Sequence, residues 1–244
     1  MRRAILFDIG HTLWDWKGGA AHLEDIAAQV ALELQYPDHH HELLRKAMLQ
    51  AGFRVAQSYS LGELREVDFL SLLAREMTDL GEPLVPDDAA FIAHRVFELE
   101  DRISHMPAYV PDALGALRHA GFVLGAISNS PIPGRFLRAI LRSRGLLEMM
   151  DAVLSSADCG WRKPDPAIFA AGCRAVDVRA ERALYVGDRV REDVRGPKAA
   201  GMRAVLTREH RQDEPPSDEP DAELTSLRDL LEIAERLIPR GSIG

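Results

Sequence analysis

The chain has 244 residues, 46% of them apolar and 28% charged, and a formal net charge of −8. That length buries a substantial core in one large domain or two modest ones. The acidic balance argues against a general binder of nucleic acid or of anionic membranes. The two cysteines, Cys159 and Cys173, make no disulfide or metal pattern, so a reducing cytoplasm is the expected compartment.

Met1-Arg2-Arg3 leads directly into an apolar run, Ala4 to Ile9. The run is too short for a signal peptide or a membrane span and reads as a buried strand. Asp8, Gly10 and Thr12 end it. A carboxylate at the carboxyl end of a first buried strand lies where open α/β sheets place their ligand crevice. The same residues also suit a plain strand followed by an Asx turn.

After Thr12 the apolar period changes to that of helices. Leu23, Ile26, Ala27, Val30 and Leu34 share one helical face, and Leu43, Leu44, Ala47, Met48 and Ala51 share a second. Val67, Leu70, Ala74 and Met77 form a third, and Ile92, Val96, Leu99 and Ile103 a fourth. Tyr36-Pro37-Asp38, Gly62 and Gly81-Glu82-Pro83 separate them as breakers. Residues 16–104 therefore read as an all-helical insert, a small bundle.

From Pro107 strands and helices alternate. Helices are expected over Asp112–Ala120, Pro133–Arg144, Pro166–Val176, Val190–Ala200 (interrupted near Gly196-Pro197) and Leu224–Leu237. Strands are expected over Phe122–Ile127, Ala152–Leu154, Ala183–Val186 and Arg203–Leu206, with a polar surface loop at 208–221. The alternation indicates a doubly wound parallel sheet, an α/β Rossmann-like core built from residues 1–15 and 105–244, with residues 16–104 as an inserted cap.

Three of the strands end in polar residues: Asp8 after the first, Ser128 and Asn129 after the second, Asp188 after the fourth. In a parallel sheet those ends lie on one edge, so the groups can converge. Converging carboxylates need a cation, and oxygen donors of this kind suit Mg²⁺ with substrate phosphate and water completing its shell. Asp193, five residues after Asp188, can join or support such a site. Lys163, just before a helix, can neutralise an anionic substrate.

Asp8-Ile9-Gly10-His11-Thr12, Ser128-Asn129, Arg162-Lys163-Pro164-Asp165-Pro166 and Gly187-Asp188…Asp193, in that order, resemble the four motifs of the haloacid dehalogenase-like hydrolase superfamily. The helical insert between the first two resembles that superfamily's C1-type cap, and Gly196-Pro197-Lys198-Ala199-Ala200-Gly201-Met202 is similar to its pattern after the fourth motif. The resemblance implies that Asp8 is a nucleophile forming an aspartyl-enzyme intermediate. It implies Mg²⁺ held by the Asp8 and Asp188 carboxylates and the Gly10 carbonyl. Ser128 and the Asn129 N–H would bind the phosphoryl group, Lys163 would offset charge on Asp8 and the phosphoryl oxygens, and Asp193 would orient Lys163 or a metal-bound water.

One position departs from the pattern. Phosphatases of the superfamily usually carry a second Asp two residues after the nucleophile, as the acid and base for the leaving group and water. Here it is Gly10. Loss of such a group typically costs about 10²–10⁴ in rate. His11 is adjacent, and an imidazole can work near neutral pH, but continued strand geometry points its side chain elsewhere and it reads as a turn residue. True haloacid dehalogenases also lack the second Asp, yet they use no metal and depart from Gly-Asp in the fourth motif, which is intact here. Phosphonatases add a cap lysine; Lys17 and Lys46, the lysines of this insert, read as solvated surface residues.

The expectation is a Mg²⁺-dependent phosphatase of a small phosphorylated metabolite, cytoplasmic, monomeric or homodimeric, without nucleic-acid or membrane partners. A dehalogenase or phosphonatase-like hydrolase is the alternative within the enzyme class. A non-catalytic phosphometabolite-binding protein is the alternative outside it. Asp38-His39-His40-His41-Glu42 reads as a helix boundary rather than a metal site, Trp14 and Trp16 as packing at the start of the insert, and Cys159 as unreactive.

Overall fold

The structure, a computed structural model, describes residues 2–16, 23–102, 104–212 and 219–240. Strand β1 (Arg3–Phe7) starts the chain and a two-residue strand, β2 (Asp15–Trp16), follows. Four helices come next: α1 (Leu23–Glu33), α2 (Asp38–Ser60), α3 (Phe69–Asp79) and α4 (Pro86–Arg102). A second short strand, β3 (Ser104–His105), precedes the alternating part. That part runs α5 (Val110–His119), β4 (Phe122–Ser128), α6 (Gly134–Ser143), β5 (Ala152–Ser155), α7 (Ser156–Cys159), α8 (Pro166–Ala175) and β6 (Ala183–Gly187). After a π-helical turn at Val190–Arg195 come α9 (Gly196–Ala199), β7 (Arg203–Thr207), β8 (Ala222–Leu224) and α10 (Leu230–Leu237).

Six strands form one parallel sheet in the order β5-β4-β1-β6-β7-β8. β1 lies inside it, with Phe7 opposite Ala126 on one side and Val186 on the other. Alternation along β1 makes both faces of the sheet. Ile5 and Phe7 join an apolar cluster with Val110, Leu114 and Leu117 of α5 and Leu141 of α6. Ala4 and Leu6 join a second cluster with Ile168, Phe169 and Cys173 of α8. Helices therefore cover both faces, as a parallel sheet requires. Their ends follow local rules: Asp165 accepts a hydrogen bond from the Ala167 N–H at the start of α8, with Pro166 in its first turn. Gly121, at φ +85°, carries the chain out of α5.

The structure corrects the sequence reading at four places. A sixth strand, β8, sits where a surface loop running into a helix was expected, and α10 begins six residues late; three residues carry too little periodicity to announce a strand. The helix expected over Val190–Ala200 is a π turn followed by one short helical turn. On α3 the buried face is Phe69, Leu73, Glu76 and Met77. Val67 lies before that helix because Asp68 caps it, accepting from the Leu70 N–H at 3.0 Å. The stretch read as wholly helical opens and closes on an antiparallel ribbon, Asp15 opposite His105 and Trp16 opposite Ser104.

Lys17, Ile103 and the side chains of Trp16, Leu23 and Leu99 lie outside the described residues. Among the described residues, no helix is long and apolar enough to cross a membrane.

Candidate active site

Asp8 is the first residue beyond β1 and its N–H donates to Val186 O at 2.8 Å, which prolongs the β1–β6 ladder by one bond. Its side chain thus emerges at the carboxyl edge of the sheet. Lys163 approaches that edge from the loop before α8. Its Nζ donates to Asp8 Oδ1 at 2.6 Å, to Asp193 Oδ1 at 2.7 Å and to the Tyr185 hydroxyl at 3.0 Å. An ammonium has three N–H groups, so all are used. Tyr185 passes the chain of bonds on by donating to Ile127 O at 3.0 Å. Burial alone would lower the Lys163 pKa; the Asp193 and Asp8 carboxylates reverse this and hold it well above the usual range.

The backbone of Lys163 is fixed as firmly as its side chain. Asn129 accepts the Lys163 N–H at 2.7 Å through Oδ1 and donates to Lys163 O at 3.1 Å through Nδ2. Ser128 ends β4 opposite Ser155 of β5, two residues beyond the partner of Phe7, which sets it at the same sheet edge as Asp8.

Asp193 comes from the π turn. Its Oδ2 accepts the Arg189 N–H at 3.0 Å, so both its oxygens are engaged. The approach is close enough that a Cβ at Gly187 would lie 2.3 Å from Asp193 Cγ; only glycine fits there. π turns of this kind recur at functional sites, where the extra residue re-aims a side chain.

Asp188 is the third carboxylate. It is 2% exposed, and ligand oxygens of Asp8, Asp188 and Asp193 all lie within 4.8 Å of one another. Burial, then the charges of Asp8 and Asp193, push the Asp188 pKa up to about 8. Arg211 Nε, from the segment after β7, lies 2.6 Å from Asp188 Oδ2, but neither atom makes an aligned hydrogen bond. A buried carboxylate oxygen with no aligned donor, among hard oxygen donors crowded by like charge, fits a divalent cation of the Mg²⁺ type.

Gly10 lies in the turn after Asp8, bridged to Trp14. His11 takes a left-handed conformation, φ +56°, and its Nδ1 is 2.7 Å from Asp15 Oδ1. Trp14 is buried under the Arg144 guanidinium, which stands 4.1 Å above its ring. Lys46 is exposed. His40 Nε2 pairs with Glu82 Oε2 at 2.9 Å and His41 Nε2 with Tyr36 O at 2.7 Å, so the histidine run ties the start of α2 to its surroundings. Burial raises the thiol pKa of Cys159.

Of the residues singled out in the sequence, the structure joins Asp8, Lys163 and Asp193 by direct contact and sets Asp188 among them. Ser128 and Asn129 stand at the same edge, and the Asn129 side chain holds the Lys163 loop, a task its motif does not advertise. Tyr185 and Arg211 were not anticipated. Tyr185 had one signal, a hydroxyl inside an otherwise apolar strand; Arg211 had none, being one of several charges in a polar segment.

The sequence model of the haloacid dehalogenase-like hydrolases matches residues 2–201. The chain belongs to that family. It is 30% identical over 246 residues to a glyceraldehyde 3-phosphate phosphatase of Methanopyrus kandleri, covering 97% of this chain and 99% of the relative. It is 28% identical over 236 residues to a phosphoglycolate phosphatase of Salmonella choleraesuis, covering 94% and 91%. Among solved structures, a 2-haloacid dehalogenase of Pseudomonas syringae superposes with a TM-score of 0.66 at 26% identity, covering 97% of this chain and 99% of that one. A phosphatase of the family from Thermococcus onnurineus superposes at 0.64 with 23% identity, covering 96% and 97%, a likeness of fold. The chain is accordingly a hydrolase of this family, and relatives it matches over nearly their whole length are named as phosphatases.

Proposed function

We propose that the protein hydrolyses a small phosphorylated metabolite through an aspartyl-phosphate on Asp8 and depends on Mg²⁺. The observation that carries this reading is the Lys163 ammonium bridging Asp8 and Asp193 beside a buried Asp188. Phosphoryl transfer mainly needs charge offset and positioning, and this arrangement supplies both. The names of the relatives support a substrate of two or three carbons.

In the first step an Asp8 oxygen attacks phosphorus and the bond to the leaving oxygen breaks. Lys163 holds Asp8 in place and faces the charge that builds on the phosphoryl oxygens, while Ser128 and the Asn129 N–H orient the group. In the second step water attacks the phosphoryl group and frees Asp8. Asp8, Asp188 and the Gly10 carbonyl are the groups that would hold Mg²⁺, which supplies further charge stabilisation. Asp193, with both oxygens committed, orients Lys163. Residues 16–104 act as the cap over residues 1–15 and 105–244, excluding water and selecting substrate.

Gly10 has no proton to give the leaving oxygen, and His11 is turned toward Asp15. Acyl and aryl phosphates, whose leaving groups scarcely need a proton, are therefore expected to turn over faster than alkyl phosphates. The test is hydrolysis of p-nitrophenyl phosphate by the purified protein, with and without chelator, beside Asp8→Asn. Turnover abolished by both supports the reading; turnover that survives either contradicts it.

Gly10 and the likeness to a 2-haloacid dehalogenase favour one second reading, displacement of halide by the same Asp8. Halide release from a 2-haloacid that persists in chelator would select it.

A further inference from the structure

The segment joining α2 to α3 is docked against the loop that carries Lys163. Arg162 N donates to Leu64 O at 2.8 Å, and Glu66 N donates to Gly160 O at 3.1 Å. Arg65 pairs with Trp161 as an isolated antiparallel bridge, its guanidinium 3.9 Å from the indole ring. At the centre of this seam Arg162 and Glu66 form an ion pair with side chains 2% and 1% exposed. Arg162 Nε donates to Glu66 Oε1 at 2.8 Å, and Nη2 lies 2.7 Å from the same oxygen. The Ser156 hydroxyl donates to Glu66 Oε2, and the Tyr59 ring stacks 3.7 Å from the Arg162 guanidinium.

A buried ion pair contributes little net stability against an apolar replacement, but breaking it strands a charge. Such a pair therefore acts as a two-position device. Docked, the two charges are paired through the Arg162 Nε–Glu66 Oε1 bond, although Nη2 makes no aligned hydrogen bond; parted, each charge must reach water. Arg162 and Glu66 belong to different parts of the chain, 96 residues apart, so parting them means lifting the α2–α3 segment. The next residue after Arg162 is Lys163, whose far side is held by Asn129.

We propose that Glu66 is a positioning residue: by pairing with Arg162 across the seam it fixes the loop that aims Lys163 at Asp8, so that docking of the helical insert and assembly of the site are one event. This rests on the phosphatase reading only where rate is the readout. The role belongs to Glu66, which touches no reacting atom and acts through Arg162.

The test uses the full chain and the Glu66→Gln variant, which keeps shape and removes charge. Three quantities are read: hydrogen exchange at the Arg162 and Glu66 amides, labelling of Lys163 by an amine-reactive acyl reagent followed by mass spectrometry, and kcat and KM on p-nitrophenyl phosphate. Exchange in β1 and β4 monitors the fold. Where Glu66→Gln fails to fold, Arg162→Lys takes its place, keeping the charge and losing the planar fork.

The expected result is exchange at both seam amides faster by about tenfold or more with β1 and β4 unchanged. Lys163 labels faster, and kcat falls by about 10²-fold, as misplacement of a catalytic group does, while KM changes by less than about threefold. Unchanged seam exchange overturns the proposal. So does faster seam exchange with Lys163 labelling unaltered. If the wild-type protein hydrolyses no phosphate ester, the reading of the site falls, and Lys163 labelling alone still decides whether Glu66 positions it.

Discussion

Lys163 Nζ lies 2.6 Å from Asp8 Oδ1 with both side chains buried, and the same ammonium lies 2.7 Å from Asp193. One cation thus holds two carboxylates that would otherwise repel each other. Replacing it by methionine, which fills a similar volume, leaves both acids uncompensated. Lys163→Met is expected to cost about 3–5 kcal/mol of stability and to lower kcat by about 10²–10³-fold. Denaturant unfolding and p-nitrophenyl phosphate kinetics measure the two effects. A stable variant with near wild-type kcat would show that the contact is incidental.

Tyr185 supplies the third acceptor for Lys163 and a donor for Ile127 O. Tyr185→Phe keeps the edge-on ring contact with Phe169, centroids 5.0 Å apart, and strands one lysine N–H and one carbonyl. The expected loss is about 1–3 kcal/mol of stability, because buried groups are left unsatisfied. Denaturant unfolding tests this, and an unchanged midpoint would mean that water reaches Lys163.

Asp188 gives the metal-free protein a pH-dependent contribution to stability. Burial, with Asp8 and Asp193 nearby, raises its pKa from the ordinary carboxylate value to about 8 in the folded state. The folded chain then binds more protons than the unfolded chain between about pH 4 and pH 8. Stability contributed by this group is accordingly present at the acidic end of that window and is lost as pH rises through it. In chelator, Asp188→Asn is expected to melt above the wild type at pH 8, with the gap closing toward pH 5. A gap that widens on acidification would reverse the sign and refute the account of the cluster.

Arg211 Nε stands 2.6 Å from Asp188 Oδ2, on a carboxylate proposed to bind Mg²⁺. Arginine and metal then compete for one oxygen. Arg211→Gln is expected to tighten Mg²⁺ binding by about 5-fold or more, the lower range of ordinary coupling between sites. Titration calorimetry reads this without turnover. Weaker binding in the variant would mean that Arg211 orients Asp188 for the metal.

The sequence carried the parallel core well. Ala4–Ile9, Phe122–Ile127, Ala183–Val186 and Arg203–Leu206 are apolar runs bounded by breakers, and each is a strand within two residues of its expected ends. Parallel order then brings Asp8, Ser128 and Asp188 to one edge without knowledge of any side chain. What escaped depends on distance in three dimensions. β8 is three residues long and pairs only because β7 offers an edge. The π turn that aims Asp193 has the composition of an ordinary helix. Glu66 reads as one charge among many and Arg162 only as the start of the Lys163 motif, and their joint burial is what marks them as a pair. On α3 the apolar period points to Val67, Leu70, Ala74 and Met77, of which the buried face keeps Met77 alone, because Asp68 caps the helix and places Val67 outside it.

The central claim is that Asp8 takes the phosphoryl group from substrate. The measurement that meets it directly is acid quenching of the Mg²⁺-loaded protein during turnover of an acyl phosphate, followed by digestion and mass spectrometry. The account predicts one added phosphoryl group on the peptide containing Asp8, absent in Asp8→Asn and absent in chelator. Rapid turnover with that peptide unmodified, or with the phosphoryl group on another residue, would contradict it.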